Sequence, residues 1–396
     1  MHVLINAVSS SRQPSGICRY AVSLSHCLAA STEISHITLL VGAWQAGYFD
    51  TSFGLCDPKI QTLVADLSRT SLSRNWWYLN TLPGLSSSCG ADVVHLSFPV
   101  PIMRGRFRCP VVVSLHDLYP YDIPDNFGQF RAVFNRLFLR QCMSNVDHVA
   151  CASDFTAGRL RALMPMLSGE IAERLYPCVE FNPEHCQFPA HVTIKRPFIL
   201  SVAQHRKNKN IPLLLSAFAE LLHRRSISAD VRLVLVGSQG PSTNLIRSTI
   251  ASMSLERNVV IACTLPDSEL CWLYRNCDLF VAPSSVEGFG LPLAEALRCG
   301  ARIVCSDIPA FREIAGDDCH YFSVTSTNVV ADLANVCVRA LRGRQPAPRS
   351  LSKFSSMHIG PQYVAIYSKL LRKQRGLADN YSSPANPLMD YDSPVQ

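Results

Sequence analysis

A strand–loop–helix–strand pattern between residues 278 and 316 most constrains how this chain can fold. An apolar run at 279–283 precedes a loop with two glycines, Pro292 then opens a helical pattern that Gly300 ends, and a second apolar run follows at 301–305. Proline at the start of a helix and glycine just past its end are typical helix signals. The pattern predicts a unit of a parallel sheet, and such sheets bind ligands at the carboxyl ends of their strands.

Two carboxylates belong to this unit. Glu287 lies in the loop and Glu295 near the start of the helix, with seven residues between them. The helix N-terminus between them offers unpaired N–H groups and the positive end of a dipole, which favours a phosphate. A phosphate flanked by two hydroxyl-binding carboxylates corresponds to a nucleotide sugar. One carboxylate would then bind the sugar and the other the ribose.

The run EGFGLP at 287–292, followed by Glu295 and Ala296, resembles the signature of the retaining glycosyltransferases of family 4. The resemblance implies the GT-B architecture, an α/β fold with two Rossmann-like domains facing a cleft and a C-terminal helix crossing back to the first domain. It implies that the donor binds mainly to the second domain and the acceptor to the first. It also assigns three loop residues to donor binding, namely Phe289, Gly290 and Leu291.

A chain of 396 residues is long enough for two domains. Apolar periodicity lapses between Pro177 and Pro197, where we expect the interdomain linker. The predicted organisation is an acceptor-side domain at 1–185, a nucleotide-sugar domain at 186–358, a crossover helix at 359–375 and a disordered tail at 376–396. The tail is rich in Ser, Pro, Asn and Asp. It contains Asp-Tyr-Asp at 390–392, which follows no strand, so we interpret this metal-binding pattern of the other glycosyltransferase fold as chance.

Two elements of the first domain are expected to reach the cleft. The segment Gly16-Ile17-Cys18-Arg19-Tyr20 is similar to a glycine-rich element of the family, with Cys18 in place of a second glycine, and Gly16 is expected to contact the donor. The His116-Asp117 pair follows an apolar strand at 111–115, and His116 matches the family histidine beside the donor sugar. A plain turn and a hydrogen-bonded loop histidine are the alternative interpretations.

A cationic loop, QHRKNKN at 204–210, follows the first strand of the second domain. Cations at the carboxyl end of a strand can offset the charge of a diphosphate leaving group, so no metal and no cofactor are expected. Lys209 matches the family lysine, whereas Gln204 stands where the family often has arginine. Arg206 or Lys207 would supply the second charge. The expected catalytic residues are therefore Glu287, His116, Lys209 and Arg206, with Lys207 as a donor contact.

The helical pattern at 127–143 carries Phe130, Phe134 and Phe138 on one stripe, together with arginines. Such a stripe is typical of packed core, and the alternative is a helix that lies on a membrane surface. The net charge of +7 has no strong cluster, so we expect no nucleic-acid partner. The 16 cysteines show no zinc spacing and predict free thiols in a reduced, cytoplasmic protein, with peripheral contact at the inner membrane as a further expectation.

Together these features predict a retaining, metal-independent hexosyltransferase that uses a nucleotide sugar. Mannose from GDP-mannose is the favoured donor, because it is frequent among bacterial chains with a similar G-x-x-R-Y start. A lipid-linked glycan for a surface polysaccharide is the favoured acceptor. The chain departs from the family pattern at Cys18, Gln204 and Arg312. An alternative hypothesis is therefore a scaffold protein that binds a sugar nucleotide without turnover. A sugar-nucleotide epimerase of related fold is a third hypothesis.

Overall fold

A computed structural model shows two α/β domains joined in series, each built on one parallel sheet. This confirms the predicted two-domain fold. The structure describes residues 1–382 with several short gaps, at 11, 13, 14, 54, 127, 168–170, 180–185, 191–193, 195, 264, 344, 345 and 350, and it does not describe the side chains of 129 and 377–382. Part of the predicted linker, residue 127 of the predicted helix at 127–143 and the Asp-Tyr-Asp of the tail lie outside the described residues.

The N-terminal domain has a seven-stranded parallel sheet in the order β3-β2-β1-β4-β5-β6-β7. Its strands are β1 (His2–Asn6), β2 (His36–Gly42), β3 (Ile60–Ala65), β4 (Val93–Leu96), β5 (Val111–Leu115), β6 (His148–Cys151) and β7 (Ala172–Arg174). Its helices are α1 (Gly16–Ala29), α2 (Ala43–Ser52), α3 (Ser71–Asn80), α4 (Leu82–Ser88), α5 (Tyr119–Asp122), α6 (Gln129–Met143) and α7 (Asp154–Leu163). The central strands are apolar and buried on both faces, as expected of a parallel sheet covered by helices.

The C-terminal domain has a six-stranded parallel sheet in the order β10-β9-β8-β11-β12-β13. Its strands are β8 (Phe198–Val202), β9 (Arg232–Val236), β10 (Val259–Ala262), β11 (Leu279–Ala282), β12 (Ile303–Ser306) and β13 (His320–Phe322). The helices from this point to the end of the described chain are α8 (Ile211–His223), α9 (Thr243–Ser252), α10 (Asp267–Asn276), α11 (Leu291–Arg298), α12 (Pro309–Ala315), α13 (Val329–Arg342) and α14 (Ser356–Ser382).

Strand order reverses between β1 and β4 in the first sheet and between β8 and β11 in the second. A reversal sends the loops after the two central strands in opposite directions and opens a crevice at their carboxyl ends. In the second sheet these loops are 203–210, after β8, and 283–290, after β11. They contain the cationic cluster and Glu287, so the topology brings two distant parts of the sequence to one site.

The long helix α14 returns from the second domain and packs on α1 of the first. Gly360 makes the approach possible, because a Cβ atom at this position would lie 2.6 Å from the carbonyl oxygen of Cys27. Tyr363 and Tyr367 are buried in a core that includes residues of α1 and of the second domain. The Tyr363 hydroxyl lies 2.8 Å from that of Tyr20, and the Tyr367 hydroxyl lies 2.8 Å from Nδ1 of His95. The crossover helix is thus fastened to the first domain by both apolar and polar contacts.

Several boundaries predicted from the sequence differ from the structure. Residues 307–315, expected to be a loop, include helix α12, in which Pro309 occupies the first position and so serves as a helix start. The crossover helix is longer than predicted at both ends: Pro361 lies inside its first turns, and the helix continues through residues 376–382, where the disordered tail was expected to begin. Sequence analysis did not identify α2, β3 or β7, which have short or weakly periodic patterns.

The stripe on α6 is exposed, so the packed-core interpretation was wrong. Phe130 and Phe134 are 84% and 58% exposed, whereas Leu139, Cys142 and Met143 are the residues of α6 that pack into the core of the domain. The expectation of only free thiols was also wrong, because Cys186 and Cys271 form a disulfide with 5.3 Å between their Cα atoms. The part of the predicted linker that contains Cys186 packs on α10, and the 85-residue separation between the two cysteines gave no sequence signal.

The close approach at Gly360 generates a prediction about stability. Gly360→Ala should destabilise the protein by about 1–3 kcal/mol, because the new Cβ atom would overlap the Cys27 carbonyl in a packed interface. Gly376→Ala lies on the same helix in open space and should be neutral or stabilise by up to about 1 kcal/mol. Thermal and urea unfolding of the two variants measure this difference; equal unfolding midpoints would contradict the packing described here.

Candidate functional site

The glycines of the loop between β11 and α11 are fixed by contacts on both sides of the cleft. A Cβ atom on Gly288 would lie 1.7 Å from the carbonyl oxygen of His116, which belongs to the other domain. Gly290 has a φ of 109°, and a Cβ atom there would lie 2.7 Å from the ring of Phe311. Only glycine fits either position, since one is crowded by backbone and the other also needs a left-handed conformation. The two glycines thus set the position of the intervening loop and of Glu287.

Glu287 is buried between the domains, and both of its oxygens have partners. Lys209 Nζ donates to Oε1 at 2.5 Å, and the Tyr119 hydroxyl donates to Oε2 at 2.9 Å. Lys209 belongs to the same domain as Glu287, whereas Tyr119 begins α5 of the N-terminal domain. A buried carboxylate needs such partners because removal from water is costly. The structure therefore brings together two of the predicted catalytic residues and adds Tyr119, which sequence analysis missed.

The cationic loop is tied to the Glu287 loop through Asn208. Its carbonyl accepts from the backbone N–H of Ser285 at 2.8 Å, and its side-chain amide donates to the carbonyl of Val286 at 3.2 Å. A short turn, Lys207–Lys209, places Lys209 toward Glu287. Lys207 points elsewhere, since its exposed ammonium pairs with Asp125 of the N-terminal domain at 2.6 Å.

His116 lies at the carboxyl end of β5, where the sequence placed it. Its Nε2 lies 2.8 Å from the carbonyl oxygen of Ser97, which can only accept, so Nε2 carries the proton of the neutral ring. Burial lowers the pKa of His116, which favours this neutral form at pH 7. The Tyr20 ring packs edge-on against the imidazole with 4.4 Å between ring centroids. His116 is thus a fixed, neutral ring whose Nδ1 carries a lone pair that can accept a hydrogen bond.

Asp117, the next residue, is a buried carboxylate to which sequence analysis gave no role. Its Oδ1 accepts from the backbone N–H of Tyr119 at 3.1 Å. The pKa of Asp117 is raised to about 6: burial and the negative charge of Glu287 raise it, while the Tyr119 N–H and the positive charges of Arg206 and Lys209 lower it. Arg206 therefore lies close enough to act on the first domain's edge of the site.

Glu295 lies on α11 in a separate part of the cleft. Its Oε2 accepts from the Tyr274 hydroxyl at 2.9 Å. The pKa of Glu295 is raised to about 7, because burial raises it more strongly than the positive charge of Arg19 and the Tyr274 hydrogen bond lower it. Glu287 and Glu295 thus have different hydrogen-bond partners, Lys209 and Tyr119 for the first and Tyr274 for the second.

The remaining predicted residues have varied surroundings. Gly16 is the first residue of α1 and has open space where a side chain would be. The Cys18 side chain is buried, with its sulfur 3.2 Å from the Ser15 hydroxyl, so it does not obstruct the loop. The Phe289 ring packs into an aromatic cluster with Phe354, at 5.3 Å between centroids, which leaves its backbone to face a ligand.

Further contacts between the domains surround Glu287 and were not predicted as such. The Ser153 hydroxyl donates to the carbonyl of Gly288, and the Thr156 hydroxyl donates to the same oxygen at 3.2 Å. Glu313 of α12 accepts from the backbone N–H groups of Asp154 and Phe155, at 2.7 and 3.2 Å, and so caps α7 of the other domain. The sequence identified Ser153 and Thr156 only as a helix cap, which the structure confirms.

A cleft opens beside Glu287 on the side of the C-terminal domain. The side chains around it include a cation, a carboxylate and small or apolar groups, namely Ser201, Lys209, Glu287, Gly290, Pro292 and Phe311. Among the described residues, no three His, Cys, Asp or Glu side chains meet in a group that could hold a metal ion. A cationic, partly apolar cleft at a topological switch point suits an anionic ligand with a sugar-sized neutral part.

Comparison with known proteins agrees with this geometry. Residues 14–179 match the model for Glycosyltransferase Family 4, and residues 187–353 match that for Glycosyl transferases group 1. Fold and site define a GT-B glycosyltransferase. Because both models describe glycosyltransferases and together span most of the chain, the protein is a glycosyltransferase whose N-terminal domain matches family 4.

Similar proteins include enzymes of surface-glycan assembly. The chain is 24% identical to O-antigen chain mannosyltransferase B of Escherichia coli over 312 residues, which are 76% of this chain and 81% of the relative. It is 22% identical to the O-antigen chain mannosyltransferase RfbU of Salmonella typhimurium, covering 92% and 95% of the two chains. The structure of WaaG, a glycosyltransferase of lipopolysaccharide biosynthesis, superposes with a TM-score of 0.65 at 16% identity, covering 97% and 100%, and so shares the fold.

The Tyr119 contact generates a prediction with a matched control. Tyr119→Phe removes the donor to a buried carboxylate, a bond worth about 1.5–3 kcal/mol, and should lower the turnover of sugar transfer by roughly tenfold or more. Tyr121→Phe, on the same short helix, should leave turnover unchanged, because the Tyr121 hydroxyl is buried without a partner among the described residues. Steady-state rates of the two folded variants decide the matter, and equal rates would refute a role for Tyr119.

Proposed function

We propose that the protein is a retaining, metal-independent hexosyltransferase that moves mannose from GDP-mannose to a glycan acceptor, lipid-linked, during surface-polysaccharide biosynthesis. The observation that carries the proposal is the ion pair between Lys209 and Glu287, which lies in a cleft at the topological switch point of the second domain. The O-antigen mannosyltransferases among the similar proteins support the choice of mannose and of a surface glycan.

The donor is oriented by groups of opposite charge along the cleft. Lys209 and the N-terminal end of α11 face the diphosphate, and Arg206, rather than Lys207, adds the second cation because Lys207 is paired with Asp125. Glu287 binds hydroxyls of the transferred sugar, and His116 accepts from another through Nδ1. Glu295 accepts from the ribose hydroxyls. Leu291, the first residue of α11, and the backbone of Phe289 and Gly290 complete the wall.

The reaction follows from this arrangement. The bond between the anomeric carbon and the diphosphate oxygen breaks, and the acceptor hydroxyl attacks the anomeric carbon from the same face. The departing diphosphate oxygen takes the proton of that hydroxyl, so no protein nucleophile is consumed. Lys209 and Arg206 stabilise the charge that develops on the diphosphate, which is the part that a metal ion plays in other transferases. Glu287 stabilises the oxocarbenium-like sugar.

A scaffold that binds sugar nucleotides without turnover is the second candidate, and Gln204 in place of the family arginine favours it. Incubation with radiolabelled GDP-mannose and other sugar nucleotides, in the presence of EDTA, separates the possibilities. We expect transfer to a membrane glycan extract and slow hydrolysis of one donor without acceptor. Binding without either reaction would establish the scaffold, interconversion of the sugar would establish an epimerase, and activity that EDTA abolishes and a divalent ion restores would contradict metal independence.

Truncation of the two glutamates should change different kinetic constants. Glu287→Ala removes contacts that tighten as charge develops on the sugar, so turnover should fall by roughly a hundredfold or more. Glu295→Ala removes a contact with the unreacting ribose, which binds the ground state and the transition state alike, so the donor Michaelis constant should rise roughly tenfold to a hundredfold. Steady-state kinetics at saturating acceptor measures both; full turnover in Glu287→Ala would show that the roles are misassigned.

Contact with a membrane is part of the proposal, and one face of the N-terminal domain supports it. Helices α3 and α6 pack on the same face of the sheet, in one core layer. Their outer sides, together with Met103 in the loop between β4 and β5, expose large apolar residues, which we call the apolar face: Leu72, Trp76, Met103, Phe130, Val133, Phe134, Leu137 and Phe138. Exposed arginines border it, including Arg131 and Arg140 of α6. Apolar side chains flanked by cations suit the boundary of an anionic bilayer.

Within the described residues, no helix is long and apolar enough to cross a bilayer, so the proposed contact is with one surface. The full chain should float with vesicles of phosphatidylcholine and phosphatidylglycerol, more strongly at low salt. Phe134→Asp should abolish flotation, whereas Leu245→Asp, at a similarly exposed position of α9 in the other domain, should not (58% and 56% exposed). Equal flotation of the two variants would contradict the apolar face as the contact.

A further inference from the structure

Arg19 is a cation of the N-terminal domain that reaches into the second domain. It lies in the first turn of α1, and its Nη1 forms an ion pair with Asp267 Oδ1 at the start of α10. The Arg19 side chain keeps 25% of its exposure and the Asp267 side chain 58%, so the arginine is the more deeply inserted partner. An ion pair this accessible contributes only about 0–1 kcal/mol to stability, which gives little reason for an arginine to span a cleft.

The influence of Arg19 on Glu295 gives a better reason, because its partner Asp267 and the Tyr274 that donates to Glu295 belong to the same helix, α10. Four groups act on the Glu295 carboxylate or respond to it: Arg19 from α1, Asp267 and Tyr274 from α10, and Cys299, the residue after α11. Arg19 is the one cation in this set, and it also acts on the Tyr274 hydroxyl that donates to Glu295. Thus a residue of the first domain completes the surroundings of a carboxylate of the second.

We propose that Arg19 is a positioning residue of the nucleotide site, contributed by the opposite domain: it pairs across the cleft with Asp267 on α10, the helix whose Tyr274 donates to Glu295, and its charge helps to keep this carboxylate able to accept hydrogen bonds from the ribose hydroxyls. The assignment rests on the proposed function, in which Glu295 binds the ribose. It extends that function by making nucleotide affinity depend on contact between the two domains.

The consequence is a specific dependence of nucleotide affinity on pH. The pKa of Glu295 is raised to about 7, because burial raises it by more than the charge of Arg19 and the Tyr274 hydrogen bond lower it. A protonated carboxyl group accepts fewer hydrogen bonds than a carboxylate, so the affinity for the nucleotide should increase as the pH rises through the pKa of Glu295. Without Arg19 the pKa rises further, and the increase in affinity should move to higher pH.

The test is the pH dependence of the Kd for GDP and for UDP, measured calorimetrically on the full chain. Arg19→Gln should move the midpoint of the affinity increase upward by about one pH unit, the smallest effect expected of an opposite charge at close range. Its affinity should be weaker than wild type by up to roughly tenfold near neutral pH and should converge with wild type at about pH 9, where Glu295 is ionised in both proteins.

Asp267→Asn is the matched variant of opposite sign. It removes a negative charge that raises the pKa of Glu295, so its midpoint should move downward. Glu295→Gln should abolish the pH step, and Arg19→Gln should have no further effect in that background. Thermal unfolding first establishes that each variant is folded.

Three results would overturn the assignment. A loss of affinity in Arg19→Gln that is equal at every pH would indicate a direct contact with the nucleotide. An unchanged profile would exclude any influence of Arg19 on the site. If Glu295→Gln retained the pH step, Glu295 would not be the titrating group, although the transferase could still stand. Failure of the wild type to bind either nucleotide would instead overturn the proposed function, and this assignment with it.

Discussion

The carboxylate of Glu287, buried between two domains, is the interaction on which the rest of the site depends. Its charge cannot be left unpaired away from water, and its partners come from opposite sides: Lys209 from its own domain and Tyr119 from the other. Breaking either contact would leave part of a charge buried without compensation. The loops that carry these three residues are therefore held in one arrangement, and the cleft beside them takes its shape from that arrangement.

Backbone packing allows the charges to meet. Gly288 touches the carbonyl of His116, and the hydroxyls of Ser153 and Thr156 hold the Gly288 carbonyl from the first domain. The crossover helix also supports this arrangement, because Tyr363 contacts Tyr20 and the Tyr20 ring packs against His116. The glycosyltransferase site is thus a property of the interface, and neither domain alone presents all of its groups.

The sequence predicted the parts of this account that are local. The apolar strands, the proline and glycine that bound α11, and the paired glutamates all lie within short windows, so periodicity and motif were sufficient. It did not reveal Tyr119, Arg19 or Glu313 as site or interface residues, because each acts on a partner more than a hundred residues away. The prediction that the phenylalanine stripe on α6 is buried was wrong. A buried helix face and an exposed one can have the same spacing of phenylalanines, so the spacing does not distinguish them.

The most direct test of the central claim is a double-mutant cycle on the turnover of sugar transfer, combining Tyr119→Phe with Glu287→Gln. If the two domains assemble the site through the Glu287 carboxylate, the effects must be coupled: once Glu287 is neutral, loss of the Tyr119 hydroxyl should cost little more, with a coupling energy of about 1–2 kcal/mol. Independent, additive losses would contradict the account, because they would show that Tyr119 acts on the reaction by some route other than the carboxylate it contacts.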